Sequence, residues 1–433
     1  MNNIKKIKGT LDLFNNDIDN INKLKNIIKN NFILYGFKNI ETPSIENKNI
    51  IKLIKKNLNI PLYYSILEKK NNKFLIFDLT ISLIRFLLTN TNNINFPFKR
   101  YQIQKVWRGE KPQNNRYREF YQCDVDIISY KYNLEEIEII SLCDKIFNDI
   151  KLNIDFLINH KDILYGLCEY LLIHKNKWEF IIKTIDKLNK IGKENVKNIL
   201  IKKIDKKYIK KIFKIFEIKK NNINYLLYLK KKFNKNKLYG KYGIKKLLNI
   251  FKIIKKIKLK RIKVKFNLSL SRGLNYYSKT IFEIKLMNKK NDLSLGGGGR
   301  YDNIIKINNK KIHGIGISLG LYRIYNTLKL YNNNVFTKNK NKKVIILNFD
   351  IKNYVLINKY ANILRNNNII TEIFLYKEKI KKQIKYAIRN KFNYLIIIGE
   401  KEINKNIIKI KNLKNKKENI FYNIKDLIKY INY

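Results

Sequence analysis

The sequence predicts an α+β protein: an antiparallel sheet flanked by helices, a helical insertion, and a smaller α/β domain at the C-terminal end. Three observations predict it. Residues 100 to 110 (RYQIQKVWRGE) and 119 to 129 (EFYQCDVDIIS) alternate with the two-residue period of strands and are joined by the polar stretch KPQNNRYR, the pattern of an antiparallel hairpin. From about 133 to 260 the pattern turns mainly helical and lysine-rich, without glycine clusters, as an insertion on the way back to the sheet would. Beyond about 342, VIILNF, TEIFLY and YLIIIGE are separated by helical stretches at 352 to 366 and 378 to 390, the alternation of an α/β unit.

In chain order, residues 19 to 37 read as an amphipathic helix, with Ile21, Leu24, Ile27, Ile28 and Phe32 at helical spacing and an end near Tyr35 and Gly36. KNIETPSIE, 38 to 46, is expected to be extended, since Pro43 forbids a helix there. KFLIFDLT, 73 to 80, reads as a strand, and strands resume in KVKFNLSLSRGLNYYSKTIFEIKL, 263 to 286. The run Gly296 to Gly299 lacks the GKS/T ending of a phosphate-binding Walker loop and reads as a tight pocket wall. A low-complexity run near 333 to 342 reads as a linker, which gives expected boundaries of 1–330 (insertion about 150–260), a linker at 331–341, and 342–433.

Composition narrows the function. A chain of 433 residues suggests two or three domains, and 45% hydrophobic residues can build their cores. Lys+Arg 92 against Asp+Glu 34 leaves a net charge of +58, which suits a nucleic acid or another anionic partner. Lys, Asn and Ile also crowd every region, as codon bias in an AT-rich genome would produce, so charge alone does not decide. Cys123, Cys143 and Cys168 lack CxxC spacing, and His160, His174 and His313 show neither triad nor metal spacing; no disulfide framework and no zinc site are expected. The start MNNIKKIKGT is no signal peptide and no segment reads as a membrane span, so a soluble, cytoplasmic protein without membrane contact is expected.

The densest polar cluster is Arg108, Glu110, Arg116, Arg118, Gln122, Asp124 and Asp126, in a segment otherwise patterned as buried strands. Charges are rarely buried there unless paired or functional. A hairpin holding two guanidinium forks apart could clamp a triphosphate; a salt-bridged surface hairpin is the competing reading.

RYQIQKVWRGEKPQNNRYREFYQCDVDII closely resembles motif 2 of histidyl-tRNA synthetases, which belong to the class II aminoacyl-tRNA synthetases. Other segments resemble the same family in the same order. IKGTLDLF, with Gly9, Thr10 and Asp12, is similar to its N-terminal motif, and YGFKNIETPSIE, with Pro43, to motif 1. FDLTISLIRF resembles the loop that holds the amino acid, SRGLNYYSKTIFE the histidine motif, GGGRYD at 297 to 302 a further family segment, and GIGISLGLYRI motif 3. The tail YLIIIGEKEINKNIIKIKNL is similar to the anticodon-binding domain.

The resemblance implies a class II catalytic core, a C-terminal α/β anticodon-binding domain, and a homodimer formed through motif 1. It implies activation of histidine with ATP to histidyl-adenylate and transfer to the 3′ end of tRNA(His). Arg108 would bridge the histidine carboxylate and the α-phosphate, with Arg272 as a second cation. Glu110, Arg116, Phe120 and Arg323 would hold ATP, whose Mg2+ would be bound largely through the phosphates, with no metal ligand from the protein. Asp126 and Tyr277 would read the imidazole, Asp78, Thr80 and Gln122 would hold the ammonium group, Leu79 would be a further histidine-binding residue, and Tyr276 and Tyr301 would close the pocket. Gln113, Asn114 and Asn115 would meet the tRNA acceptor end. Departures are Tyr322 where motif 3 has an acid, Asn275 where the histidine motif has aspartate, and Ile76 where an arginine precedes the DLT loop. The alternatives are an inactive regulatory subunit of ATP phosphoribosyltransferase, another class II synthetase, and a non-enzymatic RNA-binding protein.

Overall fold

The computed structural model describes the chain apart from residues 1–3, 55–61, 68–71, 114, 132–133, 219–220, 237, 272–276, 289–293, 303–305, 308–309, 332–334, 337–341, 377 and 433. It divides into two compact units, Met1–Phe336 and Thr337–Tyr433.

The first unit begins with helix α1 (Asn16–Leu34), which buries Ile21, Leu24, Ile28 and Phe32 as one apolar stripe. It stops where Tyr35 donates back to Asn31 and Gly36 turns the chain at φ 76°, a conformation glycine adopts without strain. Short strands β1 (Lys38–Asn39) and β2 (Ile45–Asn47) flank Pro43; helix α2 (Lys48–Ile54) and strands β3 (Ser65–Ile66) and β4 (Lys73–Leu75) follow. The segment expected to be extended over 73 to 80 splits: β4 ends at Leu75, and Asp78 caps α3 (Leu79–Thr89) by accepting from the Thr80 amide at 2.8 Å. An aspartate directly ahead of an apolar run outweighs the strand propensity of the residues before it.

The hairpin at the heart of the unit is β5 (Phe98–Trp107) and β6 (Glu119–Ser129), in register from Phe98 opposite Ile128 to Trp107 opposite Glu119. Helix α4 (Glu135–Asp149) packs its buried face below the sheet, and β7 (Ile154–His160) then enters it. That strand lies inside the stretch expected to be helical. It is buried on both faces apart from Asp155, so it shows no alternation by which to tell it from a core helix. Helices α5 (Lys161–Tyr170), α6 (Trp178–Ile185), α7 (Leu188–Ile191), α8 (Lys193–Ile201), α9 (Lys206–Phe216), α10 (Asn222–Lys232) and α11 (Lys241–Lys256) make up the lysine-rich insertion proper.

The chain returns through β8 (Ile262–Phe266), β9 (Thr280–Leu286), the glycine strand β10 (Gly296–Arg300), the small hairpin β11 (Lys306–Ile307) and β12 (Lys310–Lys311), β13 (His313–Gly320) and α12 (Leu321–Tyr331). Among the described residues the main sheet has eight strands in the order β1-β5-β6-β13-β10-β9-β7-β8. Its centre is antiparallel, and the parallel pairs are β1 with β5 and β7 with β8. One apolar core runs from α1 and α4 beneath the sheet into the insertion.

In the second unit β14 (Lys343–Ile346), α13 (Tyr354–Asn366), β15 (Ile370–Ile373), α14 (Ile380–Arg389) and β16 (Tyr394–Ile397) alternate as strand and helix. After α15 (Glu400–Asn404) come two strands that the strand-helix pattern does not separate, β17 (Ile408–Asn412) and β18 (Glu418–Phe421), and then helix α16 (Ile424–Asn432). The sheet order is β15-β14-β16-β17-β18, parallel at β14 and antiparallel beyond β16.

Candidate active site

Strand β6 organises the site. Alternation places Phe120, Gln122, Asp124 and Asp126 on one face, and register decides what lies beside each. Gln122 sits between Gln104 and Gly320, Asp124 between Gln102 and Ser318, and Asp126 between Arg100 and Gly316. The β13 side must be small there: a Cβ at Gly316 would lie 1.9 Å from Asp126 Oδ1. Above this face opens a cleft of about 1060 Å³.

Asp126 is held from two sides. Arg100, with no exposed surface, approaches Asp126 Oδ2 at 2.5 Å, and the Tyr301 hydroxyl donates to Oδ1. Arg100 Nη1 also donates to Gln102 Oε1 at 3.1 Å, and Gln102 donates to Thr42 Oγ1 at 2.8 Å, which ties the segment at Pro43 to the floor of the cleft. Burial pushes the Asp126 carboxyl up, while Arg100 and the Tyr301 hydrogen bond pull it back. Burial and the Asp126 charge raise the Tyr301 hydroxyl well above its ordinary range, so it remains a proton donor.

Cations gather at the start of β6. Arg108, at the end of β5, donates from Nε to Phe77 O at 3.0 Å, and its Nη2 lies 3.8 Å from Asp78 Oδ2. Its guanidinium also sits 5.1 Å from the centre of the Phe120 ring. Arg116 pairs with Glu110, and burial with the nearby Arg108 charge lowers its proton affinity. From α12, Arg323 donates to Ser294 O at 2.8 Å and to Asn115 O at 3.3 Å, joining the hairpin loop to the wall at β10. From Phe120 to Asp126 is roughly 20 Å along an extended strand, so a phosphate-sized cationic region and an acid-phenol pair occupy separate stretches of one cleft.

Asp78, Thr80, Arg108, Glu110, Asn115, Arg116, Phe120, Gln122, Asp126, Tyr277, Tyr301 and Arg323 all line it. Leu79 does not: it is fully buried and packs with Ile76 and Val106, because the first turn of α3 carries it to the opposite side from Asp78 and Thr80. Gln113 is not part of the lining and forms an isolated bridge with Arg116. Asn114, Arg272, Asn275 and Tyr276 lie outside the described residues. Two departures have a physical setting. Ile76 fills an apolar contact, and Tyr322 makes edge contacts with Tyr117 at 5.9 Å and Tyr121 at 6.1 Å, where burial pushes its hydroxyl up to about 12. The motif-based reading missed Arg100, Ser318 and Gly316 as parts of the site and left Asp124 without a role. Strand alternation signalled Asp124; the others depend on register.

Among the described residues no group of three or more His, Cys, Asp or Glu is placed to hold a metal ion, and no helix is long and apolar enough to cross a membrane.

The chain is similar to known proteins over nearly its whole length. Residues 9–324 match the family described as Histidyl-tRNA synthetase, and residues 343–432 match Anticodon binding domain. A Histidine--tRNA ligase of Azobacteroides pseudotrichonymphae is 36% identical, covering 94% of this chain and 93% of that protein. One from Christiangramia forsetii is 34% identical, with 94% of each chain covered. Among solved structures, the histidyl-tRNA synthetase of Nostoc sp. superimposes with a TM-score of 0.79 at 24% identity, covering 99% of both chains, and shares the fold.

Proposed function

This chain belongs to the histidyl-tRNA synthetase family, and from that premise we propose that it activates histidine with ATP and transfers the histidyl group to the 3′ end of tRNA(His). The observation that carries this reading is one cleft with two chemistries: guanidinium groups of Arg108, Arg116 and Arg323, and the Arg100–Asp126–Tyr301 cluster further along β6.

Activation requires the histidine carboxylate to attack the α-phosphorus while pyrophosphate leaves. Negative charge grows on the phosphoryl oxygens, so positioning and fixed cations do most of the catalysis. Arg108, anchored by Phe77 O and close to Asp78, would span the carboxylate and the α-phosphate. Arg116 and Arg323 would receive the distal phosphates, with Glu110 and Phe120 toward the base, and Arg272 would supply the further cation. Magnesium would accompany ATP, coordinated largely through phosphate oxygens. At the other end a neutral imidazole offers one N–H donor and one bare nitrogen, which Asp126 and Tyr277 would read. Tyr301 would fix the Asp126 carboxylate through their hydrogen bond. A ligand without the ring leaves buried polar groups unpaired, a penalty of up to several orders of magnitude.

The hairpin loop from Gln113 to Arg116 would meet the acceptor end and residues 342–433 the anticodon, assisted by the salt-sensitive attraction of a +58 chain. A homodimer through the motif 1 segment and a cytoplasmic location complete the proposal. Pyrophosphate exchange with each amino acid, followed by tRNA charging, tests it. Histidine-dependent exchange with charging is expected; binding without exchange would favour the regulatory-subunit reading instead. Arg272→Ala should lower exchange by roughly two to three orders of magnitude at unchanged thermal stability, and near-normal exchange would remove Arg272 from the mechanism.

A further inference from the structure

Two acceptor oxygens on the β6 face have no partner: Gln122 Oε1 and Asp124 Oδ1. Both residues line the cleft and both are almost wholly buried, at 5% and 4% exposure, where an acceptor left without a partner is costly. Ser318, across on β13, sets their orientation. Its hydroxyl accepts from Gln122 Nε2 at 2.8 Å, which leaves the amide oxygen over, and it donates to the Asp124 carboxylate. Ion pairing leaves the same gap. Arg100 is committed to Asp126 and Arg108 approaches Asp78, whereas no salt bridge reaches Asp124 among the described residues.

We propose that Asp124 reads the α-ammonium group of the substrate, completing with Asp78 and Gln122 a set of three acceptors for its three N–H donors. The inference rests on the synthetase reading above and adds a binding residue to it. The charge around Asp124 gives the site a further property. Arg100 and Gln102 face Asp124 from β5, Asp126 from its own strand, Ser318 from β13 and Asp78 from the head of α3. Burial pushes the Asp124 carboxyl up to about 8; Asp78 and Asp126 add to this, while Arg100 and the Ser318 hydrogen bond oppose it. At neutral pH the unliganded acid therefore keeps its proton. When an ammonium group arrives, the acid loses that proton to solvent and the carboxylate pairs with the intact ammonium. Ligand entry is thus coupled to release of one proton.

Calorimetry on the full chain at pH 7, in buffers of different ionisation enthalpy, tests this with two ligands. Histidinol carries the ring and the ammonium; imidazolepropionate carries the ring without it. Once the protons that each ligand's own ring loses on binding as neutral imidazole are subtracted, histidinol should release about 0.9 proton per site more than imidazolepropionate, as follows for an acid titrating near 8. Asp124→Asn should abolish that difference and raise the histidine KM about ten- to a hundredfold, with the ATP KM moving less than about threefold. Equal ring-corrected proton release with both ligands in the unmodified protein overturns the proposal whether or not the variant folds, and so does an unchanged histidine KM in a folded variant. Absence of histidine-dependent exchange in the unmodified protein would instead sink the synthetase reading.

Discussion

Replacing Gly316 by alanine puts a methyl carbon 1.9 Å from Asp126 Oδ1, 2.6 Å from its Cγ and 2.7 Å from Val125 O. The Val125 carbonyl belongs to the backbone of β6, so β13 must shift locally to clear it, and the Asp126 side chain must in addition retreat by roughly 1.5 Å to reach ordinary contact. That movement is as large as the tolerance of the contacts fixing it, the 2.5 Å approach of Arg100 and the hydrogen bond from Tyr301. Overpacking of this kind costs about 1–3 kcal/mol of stability, which the extensive core beneath the sheet can absorb. The effect on chemistry should be larger, because misplacing a substrate-orienting group by about 1 Å costs on the order of a hundredfold. Pyrophosphate exchange at varied histidine and varied ATP separates the two. We expect kcat/KM for histidine to fall about a hundredfold, with the ATP KM within about threefold of the parent, since Arg108, Arg116 and Arg323 lie away from Gly316. A histidine kcat/KM within threefold of the parent, or equal losses for both substrates, would refute the role given to the Asp126 position.

Arg300→Met should destabilise the protein by about 3–5 kcal/mol in urea unfolding, because the buried Arg300 pairs with Glu135, Glu136 and Asp302 and its loss leaves buried acids short of a cation; an unchanged midpoint would contradict that account. His160 predicts an acid limb. Burial, aided by Lys279, Arg300 and Lys246 against Glu136, lowers its imidazole from 6.5 to about 3. The native state therefore binds fewer protons than the unfolded chain between these values, and this group's stability contribution, present above 6.5, is lost as pH falls toward 3. His160→Gln should flatten the melting-temperature profile in that window, and an identical slope would assign the acid sensitivity elsewhere.

Short-range patterns are the legible ones in this chain. The alternation of EFYQCDVDIIS is enough to put Gln122, Asp124 and Asp126 on one face, and that of RYQIQKVWRGE is enough to supply its partner strand. The strand-helix alternation of the second unit is legible as far as β16, but β17 (IKIKN) and the four-residue β18 (ENIF) follow one another with no helix between them, so the strand-helix pattern does not separate them. Order of motifs along the chain points to Arg108, Arg116, Arg323 and Tyr301 as one site, which a resemblance can do because it carries three-dimensional information that spacing lacks.

What the sequence by itself determined is therefore which side chains share a strand face and that the chain carries a large excess of cations. Only the folded sheet decided that Arg100 pairs with Asp126, that Ser318 orients Gln122 beside an Asp124 that no salt bridge reaches among the described residues, that Leu79 turns into the core, and that Gly316 must lack a side chain. The reason is register. Residues nearly two hundred positions apart, such as Asp124 and Ser318, become neighbours through pairing of β6 with β13, and a slip of one residue would exchange the cleft face for the core face along the whole strand.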